Sequence, residues 1–590
     1  LENTPGNSVY NASTSRFLNS LIREWDGWSI SGGSDTSNGN GVRMLRLFLP
    51  AARCEILVPL SHFSPAGYHA FAFPMHIDRG DGILEPIALP ELVMLLLREA
   101  GIADRSSPAA RLTFFRRMLD STAAIAEIAE AVGGERPFTA GDPTFIEAEK
   151  ALRFGHAAHP APRSRDEFTR EDSERYGPEY GNGFALRWWA VEPSLLATGA
   201  APAVAPVEAT HALMGSDSAL VARAAAATGK TPMPLHPWQA ARLMQEPFYD
   251  RLIRDKRIAD LGLGGPIWRA TSSLRTVHSS ETPWMLKFSL SLRLTNSRRI
   301  VEEHECARGL AVHHLMTGPI GAALTARCPG FQVLGEPLWL ALRGPDGAVI
   351  RETMVAFREN PFTGENQPPA AVLAALCERH MDERGSHLAD LVHRIAKSSA
   401  ETPARVAERW FERFLETAVA PFLIAQGSFG LLFGAHQQNL VLGLDDGWPE
   451  KLYFRDCQGT GYVETFLPRL RQHLPEVGSS TDHVFGAREA ARLVGYYLFV
   501  NGAFAVVGAL GAAHLADEDR LFDLFRSFLQ RLTAEVEDRT CLDYLLSSPT
   551  IAAKGNFMLS LGNVNENTEV TDPLAAHVQL PNPLARKVTP

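Results

Sequence analysis

Basic side chains crowd the stretch from Trp268 to Arg299, where Arg269, Arg275, Lys287, Arg293, Arg298 and Arg299 face a single acid, Glu281. This local charge of +5 sits in a chain whose formal net charge is −10. Basic groups on a half-buried surface need a negative partner, because an uncompensated buried charge is strongly disfavoured. Two readings follow: a solvated, salt-bridged sheet surface, or a pocket for a polyanion. A second polar set lies at Phe433–Gly461. There His436, Gln438 and Asn439 precede one apolar run, and Asp456 closes another. A carboxylate beside an amide oxygen suits Mg²⁺, which prefers oxygen ligands and takes few of them from protein when nucleotide phosphates supply others. The plainer alternative is a hydrogen-bonded hairpin end. Together the two sets suggest a nucleoside triphosphate.

His-x-x-Asn, then a strand, then Asp is also the arrangement of small-molecule kinases, in which a catalytic-loop Asp accepts the proton of the hydroxyl to be phosphorylated. Here the loop reads His436-Gln437-Gln438-Asn439 and has no such Asp. The residues therefore lean toward a nucleophile that needs no base, and a carboxylate is one.

The elements that must position these groups can be read from spacing. Met285, Phe288, Leu290, Leu292 and Leu294 alternate with Lys287, Ser289, Ser291 and Arg293, which predicts strand. Thr295-Asn296-Ser297 then reads as the cap of a helix, whose N-terminus would offer N–H groups to an anion. NLVLGL and LYFRD flank the turn Asp445-Asp446-Gly447, and an antiparallel hairpin brings its entrance and exit together. Earlier, Ser15–Trp25 has helical apolar spacing, Met44–Leu49 and Glu55–Leu60 read as strands, and Pro90–Ala100 and Ala109–Val132 as helices. FGHAAHPAPRSRDEF is a loop by composition, carrying His156, His159, Arg163 and Arg165. No Cys or further His stands at zinc-finger spacing from those histidines. HPWQ, from His236, forms an aromatic and polar turn before a helix and reads as structural support. AAAATGKT matches a loose phosphate-loop pattern, but Pro232 and Pro234 block the helix such a loop must open, so it reads as a helix end. In His304-Glu305, Arg308 stands where a metalloprotease motif needs its second His.

At 590 residues, with 45% hydrophobic and 21% charged residues, the chain is an ordinary globular sequence too long for one core. Its negative balance argues against a general nucleic-acid binder. Cys54, Cys306, Cys328, Cys377, Cys457 and Cys541 show no paired spacing, which fits reduced thiols in a cytoplasm. The first residues lack a basic region followed by an apolar one, so no export signal is expected. Leu493–Ala513 reaches membrane-spanning length, but Asn501 and its glycines make it a buried core helix, or two helices broken at Asn501-Gly502. No membrane span is expected.

Several motifs, in order, carry a family resemblance: FLNSLIRE, GHxxHP with basic residues after it, YGPEY, HPWQ, TSSLRT, the lysine strand ending in TNSRR, HQQN and RDCQG. The chain resembles the siderophore synthetases that work independently of nonribosomal peptide synthetases, the IucA/IucC or aerobactin-synthetase type. The resemblance implies a hand-like α+β fold in three parts: a thumb over 1–180, fingers over 181–400 and a palm over 401–590, around a central ATP cleft. It implies that a carboxylate, typically of citrate, attacks ATP to give an acyl adenylate and pyrophosphate, and that an amine or hydroxyl then displaces AMP. ATP and Mg²⁺ are the implied cofactors, and a homodimer the implied assembly. Carried over, Ser273, Arg275, Thr276 and Lys287 should hold the nucleotide phosphates, with His159 and Arg163 closing over them. Asn439 and Asp456 should serve Mg²⁺ and the nucleotide. Thr295, Arg299, His436 and Gln438 should hold the carboxylate substrate. His436, Arg299 and Lys287 are the residues expected to act in catalysis. Two departures stand out: Ala157 where the family usually has Pro, and Arg163 where it has Lys. The alternatives are a kinase-like phosphotransferase and a non-catalytic anion-binding protein. Which carboxylate and which amine are used is not written in the sequence.

Overall fold

The computed structural model describes residues 5–32, 43–479, 483–564 and 577–585; residues 1–4, part of the stretch read for an export signal, lie outside these. The fold is α+β. Near the N-terminus the helix Pro5–Leu21 buries Phe17, Leu18 and Leu21 against a six-stranded sheet. The two expected strands, observed as Met44–Leu49 and Cys54–His62, pair antiparallel across Pro50-Ala51-Ala52, with Leu49 opposite Cys54. The helix Pro108–Val132, whose first turn is capped by the Ser107 hydroxyl, adds Phe114 and Met118 to the same core. Phe557 and Leu561, from the short helix Asn556–Leu561, complete it.

An eight-stranded sheet forms the middle of the molecule. Its strands run, edge to edge, as Leu196–Ala200, Leu338–Arg343, Val349–Glu359, Trp284–Phe288, Thr276–His278, Ile258–Ala270, Phe184–Val191 and Thr231–Leu235. Every neighbouring pair is antiparallel. AAAATGKT is the end of helix Ser218–Ala226 and the start of a strand, as its prolines require. In HPWQ, the buried His236 caps helix Pro237–Leu243 by accepting from the Trp238 N–H. Gln239 ties that helix to Ser291, accepting from its N–H at 2.9 Å and donating to its hydroxyl at 3.0 Å.

The expected helix after the lysine strand is not there. Thr295 and Asn296 form the two-residue turn of a hairpin, and Leu290–Leu294 pairs antiparallel with Ser297–Arg299. The next helix begins only at Glu303, where Glu302 and Glu305 make the cap. The same short polar residues serve turns and caps. What decides here is that Arg298 and Arg299 would oppose the dipole of a helix in its first turn, whereas Glu303 and Glu305 favour it.

The C-terminal part packs the helices Pro403–Phe414, Ala420–Phe429 and Glu518–Leu532 around the largest apolar core. Beside it, Leu440–Asp445 and Trp448–Phe454 form the expected hairpin within a four-stranded sheet. Among the described residues one helix, Ala487–Ala512, is long and apolar enough to cross a membrane, and 94% of its apolar window is buried inside the protein. It is irregular at the foreseen position: Asn501 has φ −104° and ψ 27°. That break has a use, because Asn501 accepts from Gln437 twice, through its carbonyl at 2.8 Å and its side-chain oxygen at 2.9 Å.

Candidate active-site cleft

Lys287 projects from the centre of the large sheet, where it pairs in register with Thr276. Its buried ammonium bonds Asp456 and, at 2.7 Å, the Gln458 side-chain oxygen. Asp456 leaves the C-terminal hairpin with φ 80°, a turn out of the strand that aims its carboxylate back at the sheet. Desolvation alone would raise the pKa of Asp456, but Lys287 and Arg358, with Arg275 nearby, pull it well below the ordinary carboxylate range. Asn439 spends its amide nitrogen on the Gly434 carbonyl at 2.9 Å, leaving its side-chain oxygen for another partner. Ser273 closes the TSSLRT turn, accepting from the Thr276 N–H at 3.2 Å, and Arg275 reaches the Ile300 carbonyl at 3.2 Å. One ammonium, Lys287, and two guanidinium groups, Arg358 and Arg275, thus act on Asp456. With the Asn439 side-chain oxygen nearby in the hairpin, carboxylate, amide and cations make a set that fits Mg²⁺ and phosphate together.

Next to this cluster lies a cavity of about 380 Å³, lined by His159, Arg163, Thr295, Arg299, His436 and Gln438 among others. Arg299 donates to the Thr295 hydroxyl at 3.4 Å across the hairpin turn. His436 is half-buried, and desolvation pushes its pKa down to about 4; Asp456 opposes the shift, while Arg455, Lys554 and Arg299 add to it. The imidazole is therefore neutral near pH 7. His159 is buried, its Nδ1 accepts from the Ala161 N–H at 3.0 Å, and its Nε2 lies 3.4 Å from the Asn296 side-chain oxygen. That pattern puts the proton of His159 on Nε2. Arg163 faces the cavity with its guanidinium held by Glu179 at 3.5 Å and by the Leu152 carbonyl. It braces its own loop in this conformation. Of the six basic residues in the central stretch, Arg293 is spent on Asn563 and Val564, and Arg269 and Arg298 are exposed. Arg275, Lys287 and Arg299 remain for the cleft.

Residues 144–378 match the IucA / IucC family, and residues 408–569 match the family described as ferric iron reductase FhuF-like transporter. Over 574 residues the chain is 34% identical to the N(2)-citryl-N(6)-acetyl-N(6)-hydroxylysine synthase of Vibrio mimicus, covering 97% of this chain and 94% of that protein. The chain belongs to the IucA/IucC family. It is also 32% identical over 542 residues to the rhizobactin siderophore biosynthesis protein RhbC of Rhizobium meliloti, covering 91% of this chain and 92% of that one. Among solved structures, the ATP-bound aerobactin synthetase IucA of a hypervirulent Klebsiella pneumoniae pathotype superposes with a TM-score of 0.90 at 30% identity, over 98% of this chain and 100% of that one.

In this IucA/IucC chain the cleft depends on residues that motif reading passed over. The buried Arg455 meets the buried Glu149 at 2.6 Å and donates to the Gln438 carbonyl at 3.0 and 2.7 Å. Glu149 in turn accepts from the Ser272 N–H at 2.6 Å. One ion pair therefore ties TSSLRT to HQQN. Glu378 does the same for the histidine loop, accepting the N–H groups of Arg153, Phe154 and Gly155 at 2.6, 2.8 and 3.1 Å. Arg455 stands inside RDCQG and was there to be noticed. Glu149 and Glu378 carry no local signal, because their partners are distant in sequence.

Proposed function

We propose that this chain is a siderophore synthetase that activates a carboxylate of citrate with ATP and joins it to an amine, releasing pyrophosphate and AMP. What carries the reading is one juxtaposition: the wall bearing Thr295, Arg299, His436 and Gln438 adjoins the cluster of Lys287, Asp456, Asn439 and Arg275. A tricarboxylate in the cavity would meet Arg299, whose planar fork matches a carboxylate. In the first step a citrate carboxylate oxygen bonds the α-phosphorus of ATP, and the bond to pyrophosphate breaks. In the second, the amine nitrogen bonds the acyl carbon, the bond to AMP breaks, and the nitrogen loses a proton. Lys287, Arg275 and the Ser273–Thr276 turn would hold the phosphates, with the buried His159 on the adjoining cavity wall. The neutral His436 can orient the amine by accepting a hydrogen bond from it, and the proton leaves to solvent. Asn439 and Asp456 would hold Mg²⁺, which when bound neutralises phosphate charge. The name of the Vibrio mimicus relative favours a hydroxamate-bearing lysine amine as nucleophile.

The test is pyrophosphate release from ATP and Mg²⁺ with hydroxylamine as surrogate nucleophile, across citrate, 2-oxoglutarate and succinate. Citrate-dependent release, abolished in Arg299→Ala and His436→Ala, is expected. ADP in place of pyrophosphate would assign a kinase, and neither product with any acid would leave an anion-binding protein.

A further inference from the structure

About the loop that forms one wall of the cavity, three side chains outside the proposed chemistry come together. His380 follows directly on Glu378 and Arg379, which line the cavity. His387 and Asp390 lie one turn apart at the start of helix His387–Ser399, so both fall on one helix face. The loop between is closed by a bridge of Arg379 with Ser386 and by the His380 N–H on the Gly385 carbonyl at 3.3 Å. This fold-back sets the two imidazoles edge to face, with centroids 4.8 Å apart.

Three atoms here are buried without a hydrogen bond: His380 Nε2, His387 Nδ1 and Asp390 Oδ2. One ligating atom from each of the three residues can be chosen so that all lie within 4.8 Å of one another. His380 Nε2 and Asp390 Oδ2 are 2.9 Å apart. Ligands about 2.0–2.2 Å from one metal ion stand roughly 3 Å or a little more from each other, a spacing that this pair already approaches. An ion pair would account for His380 and Asp390 but not for His387, whose Nδ1 is buried with no donor. His387 also hydrogen-bonds the Ala151 backbone carbonyl, and with Nδ1 unbonded that contact belongs to Nε2. A backbone carbonyl on the far nitrogen fixes the tautomer of a metal-ligating imidazole. Phe138 packs its ring 5.1 Å from His387 and keeps that side apolar.

We propose that His380 Nε2, His387 Nδ1 and Asp390 Oδ2 bind a divalent transition-metal ion of the zinc type, which pins the cavity-wall loop to its helix. Two imidazoles and a carboxylate suit Zn²⁺, Fe²⁺ or Co²⁺ and disfavour Mg²⁺, which takes oxygen. The surrounding charge is compatible. Arg136 is shared between Asp382 and Asp390 at 3.5 Å each, and Arg153 is bonded by Glu135 at 3.2 Å.

The probe is Zn²⁺ alone, added to chelator-treated full-length protein in excess Mg²⁺ and followed by gel filtration and metal analysis. One Zn²⁺ per chain is expected, with a raised Tm. Co²⁺ in its place should give visible d–d absorption. His387→Ala and Asp390→Asn should each lose the bound ion and the absorption, whereas Asp456→Asn should keep both. Wild-type protein that retains no Zn²⁺ would overturn the proposal without reference to any variant. So would a stoichiometry that survives His387→Ala, or one that Asp456→Asn alone abolishes.

Discussion

Lys287 and Asp456 neutralise one another in the folded chain, and under the proposed function a triphosphate with its cation would share that pair. Lys287→Met would remove the ammonium at the phosphates and leave a half-buried carboxylate without its closest partner. Losing one preorganised donor to a charged reacting group costs about 10²–10³ in rate. Citrate-dependent pyrophosphate release should therefore fall by roughly that factor in Lys287→Met. Lys287→Arg should recover only part of it, because a guanidinium fork does not fit the space between Asp456 and Gln458 that an ammonium fills. Equal rates for Met and wild type would remove Lys287 from the chemistry.

Among elements, the informative link joins the TSSLRT turn to the HQQN hairpin entrance through Arg455 and Glu149. Removing one member of a buried pair strands the other charge and costs about 3–5 kcal/mol. Glu149→Met should lower the urea midpoint accordingly. Replacing both residues with Met should restore much of the stability, since well-packed apolar pairs often equal buried ion pairs. Activity should stay low in the double variant, because Ser272 and Gln438 lose their shared anchor. Activity and stability recovering together would mean that the pair only holds the fold. The hairpin at Thr295-Asn296 is the complementary case: a turn where a helix cap was expected, placing Thr295 and Arg299 on one rim.

For the molecule as a whole, the N-terminal core closes only when the end of the chain returns to it. Phe557 lies 5.6 Å from Phe17 and 5.4 Å from Phe114, ring centre to ring centre. Phe557→Ala should cost about 3–5 kcal/mol, as deletion of a buried ring does, and calorimetry should show it. Stability should also depend on pH. Burial pushes the pKa of His69 and His236 down to about 3 and that of His278 to about 4, below the 6.5 of an unperturbed imidazole. The unfolded chain thus binds more protons between those values, and stability is lost as pH falls below 6.5. Each such histidine contributes up to about 1.4 kcal/mol per pH unit. Glu24 acts in the opposite sense: burial raises its pKa to about 7 despite the N–H groups of Phe557 and Met558, so it costs stability as pH rises from 4.5. These three histidines, with His436 shifted the same way, outweigh Glu24 and Glu378, whose pKa burial also raises, so the urea midpoint should fall from pH 7 to pH 5. A flat profile would contradict these burials.

The sequence by itself determined the family, through motifs that stand in order along the chain, and with it the proposed chemistry. The side chains proposed to bind phosphate and carboxylate stood in short motifs, and the main strands, the hairpin at Asp445-Asp446-Gly447 and the broken helix at Asn501 were legible as local patterns of polarity, turn residues and spacing. Only the tertiary structure decided which of six basic residues face the cleft and which, like Arg293, clasp another segment. It also decided that Glu149 and Glu378 hold the site together. The reason is physical: periodicity and turn chemistry act between neighbours in sequence, whereas a buried carboxylate is stabilised by whatever donors the fold brings to it from far along the chain.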